Sequence, residues 1–450
     1  MHDQKVIPSW YIIKSSNLVL LTFTTIFFSR VVAAIGVPSV INFLHFAFVA
    51  ILCGLTLPKT QIKIWNHISK KILFGLFILL LIIVASAFLN GAGVINVILD
   101  FLLLGEPFVL LLAIVGIRMS ETSIKQFRFW LMLFAFIHLF FIYLQHFILH
   151  VDAIGGPDEI KGIFLKQGAG HHVGGAVALT AGVYFFLTFR SLSIWLRTFV
   201  AVAFAADIVF SDSKQVVVVF LVALVVLILT KINNFSELLR YFLIASAVGF
   251  LVIWAAKIVF SGSFNYWGNP NKFIPAFEVK VSVFFLISSY YHSLLNWLFG
   301  LGPGHTIGRL GSLIPDYIEY LKPLGVTSSP VTEAIFAVNN TNSLTNAKTG
   351  SSMFALTFSW AGIWGDLGFL GLGAYLYLWF LVWRQVCLDN LSKFFLITVW
   401  IFGVIFSWME EPGYMLFVVS LIGLEWQGRQ IKQKVILPKS HKKMQLLEKT

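Results

Sequence analysis

The stretch ILFGLFILLLIIVASAFL, residues 72–89, contains no charged residue, and its one hydroxyl side chain is Ser86. A helix needs about 20 mostly apolar residues to cross the hydrocarbon core of a bilayer. This run is almost that long and directly follows Lys70 and Lys71, which are typical of a cytoplasmic helix end. The stretch therefore predicts a transmembrane helix that enters the membrane from the cytoplasmic side.

The whole chain has the composition of a membrane protein. Of its 450 residues 58% are hydrophobic and only 12% are charged, and the mean hydropathy is +0.87. Soluble domains are about 45–50% apolar and about 25% charged, so this chain has too much apolar surface to fold in water alone. The composition excludes a soluble enzyme and predicts an all-α integral membrane protein.

Eleven further apolar runs between polar breaks resemble residues 72–89, so we predict about 12 transmembrane helices. The last of them is the shortest. The runs lie at 17–36, 39–57, 72–89, 94–117, 127–149, 171–189, 194–210, 214–230, 241–260, 360–383, 392–409 and 412–426.

Lysines and arginines determine the predicted orientation, because cytoplasmic loops carry an excess of them. With a cytoplasmic N-terminus, every inner loop is basic and most of the 32 lysines and arginines lie inside. The net charge of +12 is then a topology signal and an attraction to anionic lipid, not a nucleic-acid surface. The apolar segment 281–299 is long enough to span, but a span there would place the basic tail outside. We predict an interfacial or re-entrant helix on the outer surface there instead.

The predicted organisation has four parts. Transmembrane helices occupy 1–260 and 360–426, and one large extracytoplasmic loop with short helices covers 261–359. A basic tail, 427–450, lies in the cytoplasm together with the N-terminus.

Ionisable residues within the predicted spans gather near the outer helix ends. Such residues are costly in a membrane and are functional candidates by default. Asp and His have shorter side chains than Lys and Arg, which snorkel to the interface, so we predict a polar cavity open to the outside. Its predicted lining residues are Asp100, Asp207, His171 and His172. Glu106, near the middle of its span, favours a transporter instead, because transport sites lie near the midplane.

Four motifs rich in small residues follow one another in the chain. They are KGIFLKQGAGHHVGGAVALTAGVYF (161–185), SDSKQVVVVFLVALVVLIL (211–229), LFGLGPGHTIGRLG (298–311) and WAGIWGDLGFLGLGAYLYLW (360–379). Within the third, residues 300–308 form what we call the glycine elbow, where glycine permits sharp turns. The elbow is not a nucleotide-binding loop, since no strand precedes it and Gly-Lys-Ser/Thr is absent.

In order, spacing and predicted side of the membrane, these motifs resemble the O-antigen polymerase and ligase family of bacterial cell envelopes. That family shows Gly-x-Phe before a small-residue helix and Ser-x-Ser-Arg before a span. It then shows Gly-x-Gly-Pro-Gly in a large external loop and Glu-Leu-Gly-x-x-Gly where the chain returns to the membrane. The resemblance covers roughly residues 160–380.

The resemblance implies a helical fold related to the C-type glycosyltransferases, in the bacterial plasma membrane, with an extracytoplasmic active site. It implies transfer of a glycan from a polyprenyl diphosphate to an acceptor sugar hydroxyl. The transfer inverts the anomeric centre and needs neither a metal nor another cofactor. An envelope-assembly protein such as a chain-length regulator is an implied partner.

This sequence departs from the family pattern at three places. Lys214 stands where arginine is usual, and Asp366 replaces the glutamate of the fourth motif. The histidine–asparagine pair that commonly precedes this motif is absent, since the region reads TGSSMFALTFSW (349–360). The family's catalytic histidine therefore has no counterpart here.

A diphosphate leaving group requires cations that hold it and stabilise its developing charge. The candidates are Arg309 and Lys214, with Arg30 and Lys166 behind them. As structural alternatives, Arg309 pairs with Asp316, Lys214 is a helix-end cation, and Asp100 and Asp207 pair with Arg30 or Lys214.

The acceptor hydroxyl requires a general base. His305 is a candidate catalytic residue because it would share a helix face with Arg309, and Glu333, Asp316 and Glu319 are alternatives in the same loop. The pair His171–His172 has no third ligand at a suitable spacing, so no metal site is predicted.

The sequence thus predicts a membrane glycosyltransferase that polymerises or ligates lipid-linked oligosaccharide. Polymerase is narrowly preferred to ligase. A transporter of lipid-linked glycans or small anions and a structural partner in an envelope complex are the alternatives.

The topology can be tested by labelling in intact cells. With Cys53 and Cys387 replaced by alanine, a cysteine at Asn342 should react with a membrane-impermeant thiol reagent, because the loop 261–359 is predicted to face outward. A cysteine at Lys63 should be protected. The opposite pattern would invert the topology and exclude an external site.

Overall fold

The computed structural model of the protein describes residues 9–56, 63–117, 119–165, 169–231, 268–345 and 355–447, with isolated positions between 239 and 265. Within these residues the protein is all-helical, as predicted. Most of the predicted span 241–260 lies outside the described residues, and so does Lys166.

The first half of the chain forms nine helices in its described residues. They are α1 (Ser9–Ala34), α2 (Leu44–Thr56), α3 (Lys63–Asn90), α4 (Val94–Gly116), α5 (Glu121–Phe147), α6 (Val151–Gly155), α7 (Gly170–Thr188), α8 (Ile194–Phe210) and α9 (Lys214–Leu229).

The second half has five helices in the predicted external loop and three after it. The loop helices are α10 (Pro270–Ser289), α11 (Leu294–Phe299), α12 (Arg309–Asp316), α13 (Ile318–Leu321) and α14 (Pro330–Thr345). The last three helices are α15 (Ser359–Gln385), α16 (Asn390–Ile405) and α17 (Pro412–Leu447). Helix α17 continues past the predicted boundary at 426/427 without a break.

Four helices in the described part are long and apolar enough to cross a membrane, namely His67–Asn90, Val94–Gly116, Glu121–Phe147 and Ser359–Gln385. Shorter apolar helices include Lys214–Leu229 and Asn390–Ile405. These helices are consistent with a membrane protein, but the predicted number of about 12 spans is not confirmed. The physical reason is length, because α9 and α16 have 16 residues each where a perpendicular span needs about 20.

The centre of the bundle consists of α4 and the first half of α17. Residues 110–116 of α4 and 414–424 of α17 are buried on every side, which is typical of helices that are apolar all round. In contrast, α3 exposes Phe74, Phe77 and Phe88. A large exposed apolar face of this kind is expected where a helix contacts lipid.

The predicted interfacial helix 281–299 is wrong as a single element. Helix α10 ends at Ser289 and α11 starts at Leu294. Ser293 and Asn296 form a capping box, in which each residue's side chain accepts the other's backbone N–H, and this starts a new helix. Val283 and Ile287 of α10 pack with Ile307 of the elbow, so this segment lies on the elbow.

A break in α15 docks the elbow. Gly368 has φ 65° and ψ −166° inside the helix, so the carbonyls one turn earlier lose their usual partners four residues on. The Gly365 carbonyl instead accepts from the Leu301 N–H at 2.8 Å, and the Asp366 carbonyl accepts from the Gly302 N–H at 3.1 Å. The elbow is therefore bonded to α15 along its backbone.

The contact between α15 and the elbow can be tested with a pair of glycines in one helix. A Cβ at Gly362 would lie 2.5 Å from the Gly308 Cα and 2.7 Å from its nitrogen. Gly362→Ala should therefore cost about 1–3 kcal/mol of stability through overpacking and lower the melting temperature in detergent. Gly373 has no atom within 4 Å of an added Cβ, so Gly373→Ala should stabilise by up to about 1 kcal/mol. Equal melting temperatures for the two variants would contradict the docking.

Candidate functional site

The elbow is a buried turn wrapped around the carboxylate of Asp366. One carboxylate oxygen accepts the Gly304 N–H at 3.0 Å. The other accepts the Thr306 N–H at 2.7 Å and the Thr306 hydroxyl at 2.6 Å. Three donors from two elbow residues thus converge on one buried carboxyl group, so Asp366 holds the shape of this turn.

Glycine is required at several elbow positions for two reasons. Gly302 and Gly304 have φ values of 110° and 71°, which other residues rarely adopt. A Cβ at Gly308 would lie 3.0 Å from Asp366 Oδ2 and 3.3 Å from Glu410 Oε2. The missing side chain therefore lets two carboxylates approach the backbone next to Arg309.

Arg309 is the first residue of α12 and is held by two consecutive glutamates. Its backbone N–H donates to Glu410 Oε2 at 2.7 Å, and its guanidinium Nη2 forms an ion pair with Glu411 Oε2. The side chains of Arg309 and Glu411 are only 14% and 5% exposed. Arg309 Nε is buried without a hydrogen-bond partner among the described residues, so one N–H donor of the guanidinium is unsatisfied there.

Further buried carboxyl groups lie close to Glu410. Asp100 and Glu410 are each 3% exposed, and Asp100 interacts electrostatically with Asp366 and Glu410. Burial raises the pKa of the Glu410 carboxyl to about 8, although the hydrogen bond from the Arg309 backbone opposes the shift. Asp100 Oδ2 and Glu410 Oε1 have no hydrogen-bond partner in the described part of the chain. Unpartnered buried acceptors are uncommon and need an explanation.

The premise that paired His305 with Arg309 on one helix face is wrong, because α12 begins only at Arg309. His305 Nδ1 donates to the Leu301 carbonyl at 3.0 Å, and Nε2 lies 2.9 Å from the Thr327 hydroxyl. Burial lowers the pKa of His305, which favours the neutral ring that these two contacts require. Its buried ring stabilises the elbow, and both nitrogens are occupied.

The alternative acids of the external loop are not buried with the acidic cluster. Glu333, in the first turn of α14, is exposed, and so are Asp316 and Glu319. The suggested pairing of Arg309 with Asp316 is wrong, since Glu411 is its ion partner. None of the three is held beside the guanidinium.

Lys214 and Asp207 do not form the suggested pair. Lys214 Nζ lies 2.8 Å from Asp212 Oδ2, two residues earlier in the chain. Asp207 is buried, and its Oδ2 has no hydrogen-bond partner in the described part. Arg30 lies half-buried near the end of α1, while Asp100 contacts the acidic cluster instead.

The two adjacent histidines lie at the start of α7, near the connection that carries the glutamates. Their ring centroids are 3.8 Å apart, and the His172 ring lies 5.0 Å from that of Phe406. His171 Nε2 is 3.6 Å from Asp158 Oδ1. No group of three histidines, cysteines or carboxylates with metal-binding geometry occurs within the described residues.

Lys280 joins the external loop to the same connection. Its buried ammonium donates to the carbonyls of Ala355 at 2.9 Å and Ile405 at 3.0 Å. Burial lowers the pKa of Lys280 to about 7. This lysine anchors α10 where α16 ends, and its donors face protein carbonyls.

Glu106 has a buried partner on α2. Its Oε1 lies 2.6 Å from His45 Nδ1, and both side chains are almost completely inaccessible. The pair accounts for a glutamate beside Pro107 in the middle of α4. Neither His45 nor Glu106 belongs to the elbow, residues 300–308, or to the glutamates that hold Arg309.

Sequence reasoning missed Glu410 and Glu411. Two consecutive glutamates followed by Pro412 stand between two apolar runs, where ionisable residues are costly. That pattern could have identified them as candidates. Their pairing with Arg309 could not be predicted, because Glu410 lies 101 residues from Arg309 in the chain.

No protein-family model matches this chain, and no curated protein matches it. The elbow, Arg309 and its carboxylates are therefore interpreted from their own chemistry.

The buried state of Glu410 predicts a specific pH dependence. Its pKa is about 8 in the folded protein against a reference value of 4.5, so the folded state binds the proton more tightly. The corresponding stability is complete below about pH 4.5 and is lost as the pH rises to about 8. Glu410→Gln cannot ionise, so it should melt above the wild type at pH 8.5 and close to it at pH 4.5. Parallel melting curves at both pH values would contradict this burial.

Proposed function

We propose that the protein is a membrane glycosyltransferase that polymerises or ligates polyprenyl-diphosphate-linked oligosaccharide on the outer face of a bacterial plasma membrane. The observation that carries the proposal is Arg309, a partly buried and incompletely used guanidinium at the end of a glycine elbow. The order of the four sequence motifs supports it, because it resembles that of the O-antigen polymerase and ligase family.

The donor diphosphate is the ligand that suits Arg309 best. A guanidinium offers planar donors that match phosphate oxygens in pairs, and the Nε of Arg309 has no partner among the described residues. In a partly dry site such contacts stabilise the charge that develops on the leaving group. Lys214 is a second cation for this role, but the Asp212 carboxylate already holds it.

The acceptor side of the reaction requires a proton acceptor. His305 is poorly suited, since the Leu301 carbonyl and the Thr327 hydroxyl occupy its ring nitrogens. Glu333 is exposed, where water keeps a carboxylate a weak base. The buried carboxylates beside Arg309 are better placed for this task.

A transporter is the second candidate, and the His45–Glu106 pair favours it. A buried histidine–carboxylate pair 2.6 Å apart in the middle of α4 has the chemistry of a proton relay within a membrane. A transporter would move lipid-linked glycan or small anions in proteoliposomes without lengthening any glycan.

The proposed function is tested with purified protein and a polyprenyl-diphosphate oligosaccharide. The expected products are longer or transferred glycans together with released polyprenyl diphosphate. Arg309→Ala should reduce the rate about 10²–10³-fold, because one preorganised charge-stabilising contact is lost. Arg309→Lys should restore only part of it, since the planar fork is lost. Lys214→Arg should be tolerated, and Lys214→Ala should cost less than Arg309→Ala.

Lys322→Ala is the matched control, because Lys322 is an exposed cation of the same loop. It should keep the wild-type rate. All variants must accumulate equally in the membrane. A normally accumulating Arg309→Ala protein with the wild-type rate would show that the elbow is only a structural turn.

A further inference from the structure

The backbone at Glu411 is held by neighbouring elements. Glu411 lies between the short 3-10 helix Trp408–Glu410 and α17, and its carbonyl accepts the Met415 N–H at 3.0 Å. The Tyr375 hydroxyl donates to the Met409 carbonyl at 2.8 Å. These bonds position the Glu411 backbone next to Arg309.

Such a pair is weak evidence for a purely structural role. Two buried charges pay a desolvation penalty that their attraction often does not exceed, and apolar replacements are frequently as stable. This pair also leaves Arg309 Nε unsatisfied within the described part of the chain. A purely structural pair would be expected to be bidentate, with two guanidinium nitrogens donating to the carboxylate.

A diphosphate would compete with Glu411 for the same donors. Its several anionic oxygens fit the guanidinium in pairs, whereas only Nη2 of Arg309 meets Glu411. Once Arg309 binds phosphate, Glu411 is a buried carboxylate whose cation has gone. A carboxylate that no longer pairs with a cation is available to accept the proton of a hydroxyl group.

We propose that Glu411 is the general base of the transfer, held inactive by Arg309 and released when the donor diphosphate binds that arginine. This inference rests on the proposed glycosyltransferase function and assigns its acceptor-activating residue. It also makes donor binding a condition for base activity, which would limit reaction before the donor is in place.

Glu410 is less suitable than its neighbour. Its Oε2 is occupied by the Arg309 backbone N–H, and its raised pKa keeps it protonated at neutral pH. A protonated carboxyl cannot accept the hydroxyl proton. Glu410 instead holds the start of α12 in place, which positions Arg309.

The step balances in atoms and electrons. The acceptor hydroxyl transfers its proton to the Glu411 carboxylate, and its oxygen forms a bond to the anomeric carbon. The bond from that carbon to the diphosphate oxygen breaks, and the electron pair leaves with the polyprenyl diphosphate, whose charge Arg309 stabilises. Glu411 then loses the proton to water as the product leaves and Arg309 returns.

The experiment measures two quantities on the same purified proteins, namely the affinity for polyprenyl diphosphate and the turnover of the oligosaccharide donor. Glu411→Gln should bind polyprenyl diphosphate about tenfold more tightly, because a competitor that occupies Arg309 most of the time is removed. Its turnover should fall about 10²–10⁴-fold, the usual contribution of a general base. A structural role would weaken binding and turnover together.

Glu278→Gln is the matched control, since Glu278 is an exposed glutamate on α10, and both quantities should stay at wild-type values. Glu411→Asp is the second variant, in case the neutral side chain leaves Arg309 unpaired and the protein does not fold. It keeps the charge but shortens the side chain, so turnover should fall at least about tenfold without loss of diphosphate affinity.

Two failures are distinguishable. If the wild type transfers glycan and Glu411→Gln does so at the same rate, Glu411 is not the base, although the proposed function stands. If Glu411→Gln does not accumulate, wild-type turnover by Glu411→Asp excludes Glu411 as the base in the same way. If the wild type neither binds polyprenyl diphosphate nor releases it from the donor, the proposed function itself is wrong.

Discussion

The structure depends on one buried carboxylate, that of Asp366. Three donors from residues 304–306 converge on it, and a buried acceptor left without its donors costs free energy. These bonds turn the chain at the elbow and determine where α12 begins. Arg309 is the first residue of that helix, so its position follows from Asp366.

The elbow carbonyls are satisfied by asparagines at the turn between α3 and α4. Asn96 Nδ2 donates to the carbonyls of Pro303 and Thr327, both at 2.9 Å, and Asn90 donates to that of Gly300 at 3.2 Å. Buried networks of this kind rigidify a site when all members are satisfied. In contrast, Asp100 Oδ2, Glu410 Oε1 and Arg309 Nε are among the buried atoms that have no hydrogen-bond partner in the described part of the chain. The site therefore combines a rigid turn with polar atoms that the protein itself does not satisfy.

Several candidate residues have structural partners that reduce their availability. Lys214 is held by Asp212, and His305 by Leu301 and Thr327. Arg309 differs in two ways. Its partner Glu411 directly follows Glu410, whose carboxyl has a raised pKa. Its Nε has no hydrogen-bond partner among the described residues. This contrast selects Arg309 and Glu411 from the sequence candidates and their surroundings.

The sequence by itself determined the all-helical class, most helix positions and the elbow. The helices follow from the apolar runs, and the turn follows from the closely spaced glycines of residues 300–308. Arg309 was a candidate because it is a cation in the predicted external loop, directly after the elbow. The break between α10 and α11 was also encoded locally, in the Ser293–Asn296 capping box. Only the tertiary structure decided which groups meet: Asp366 with Thr306, 60 residues apart, and Glu410 with Arg309, 101 residues apart. Such pairings depend on how whole helices pack, and no local periodicity or spacing in the chain records that.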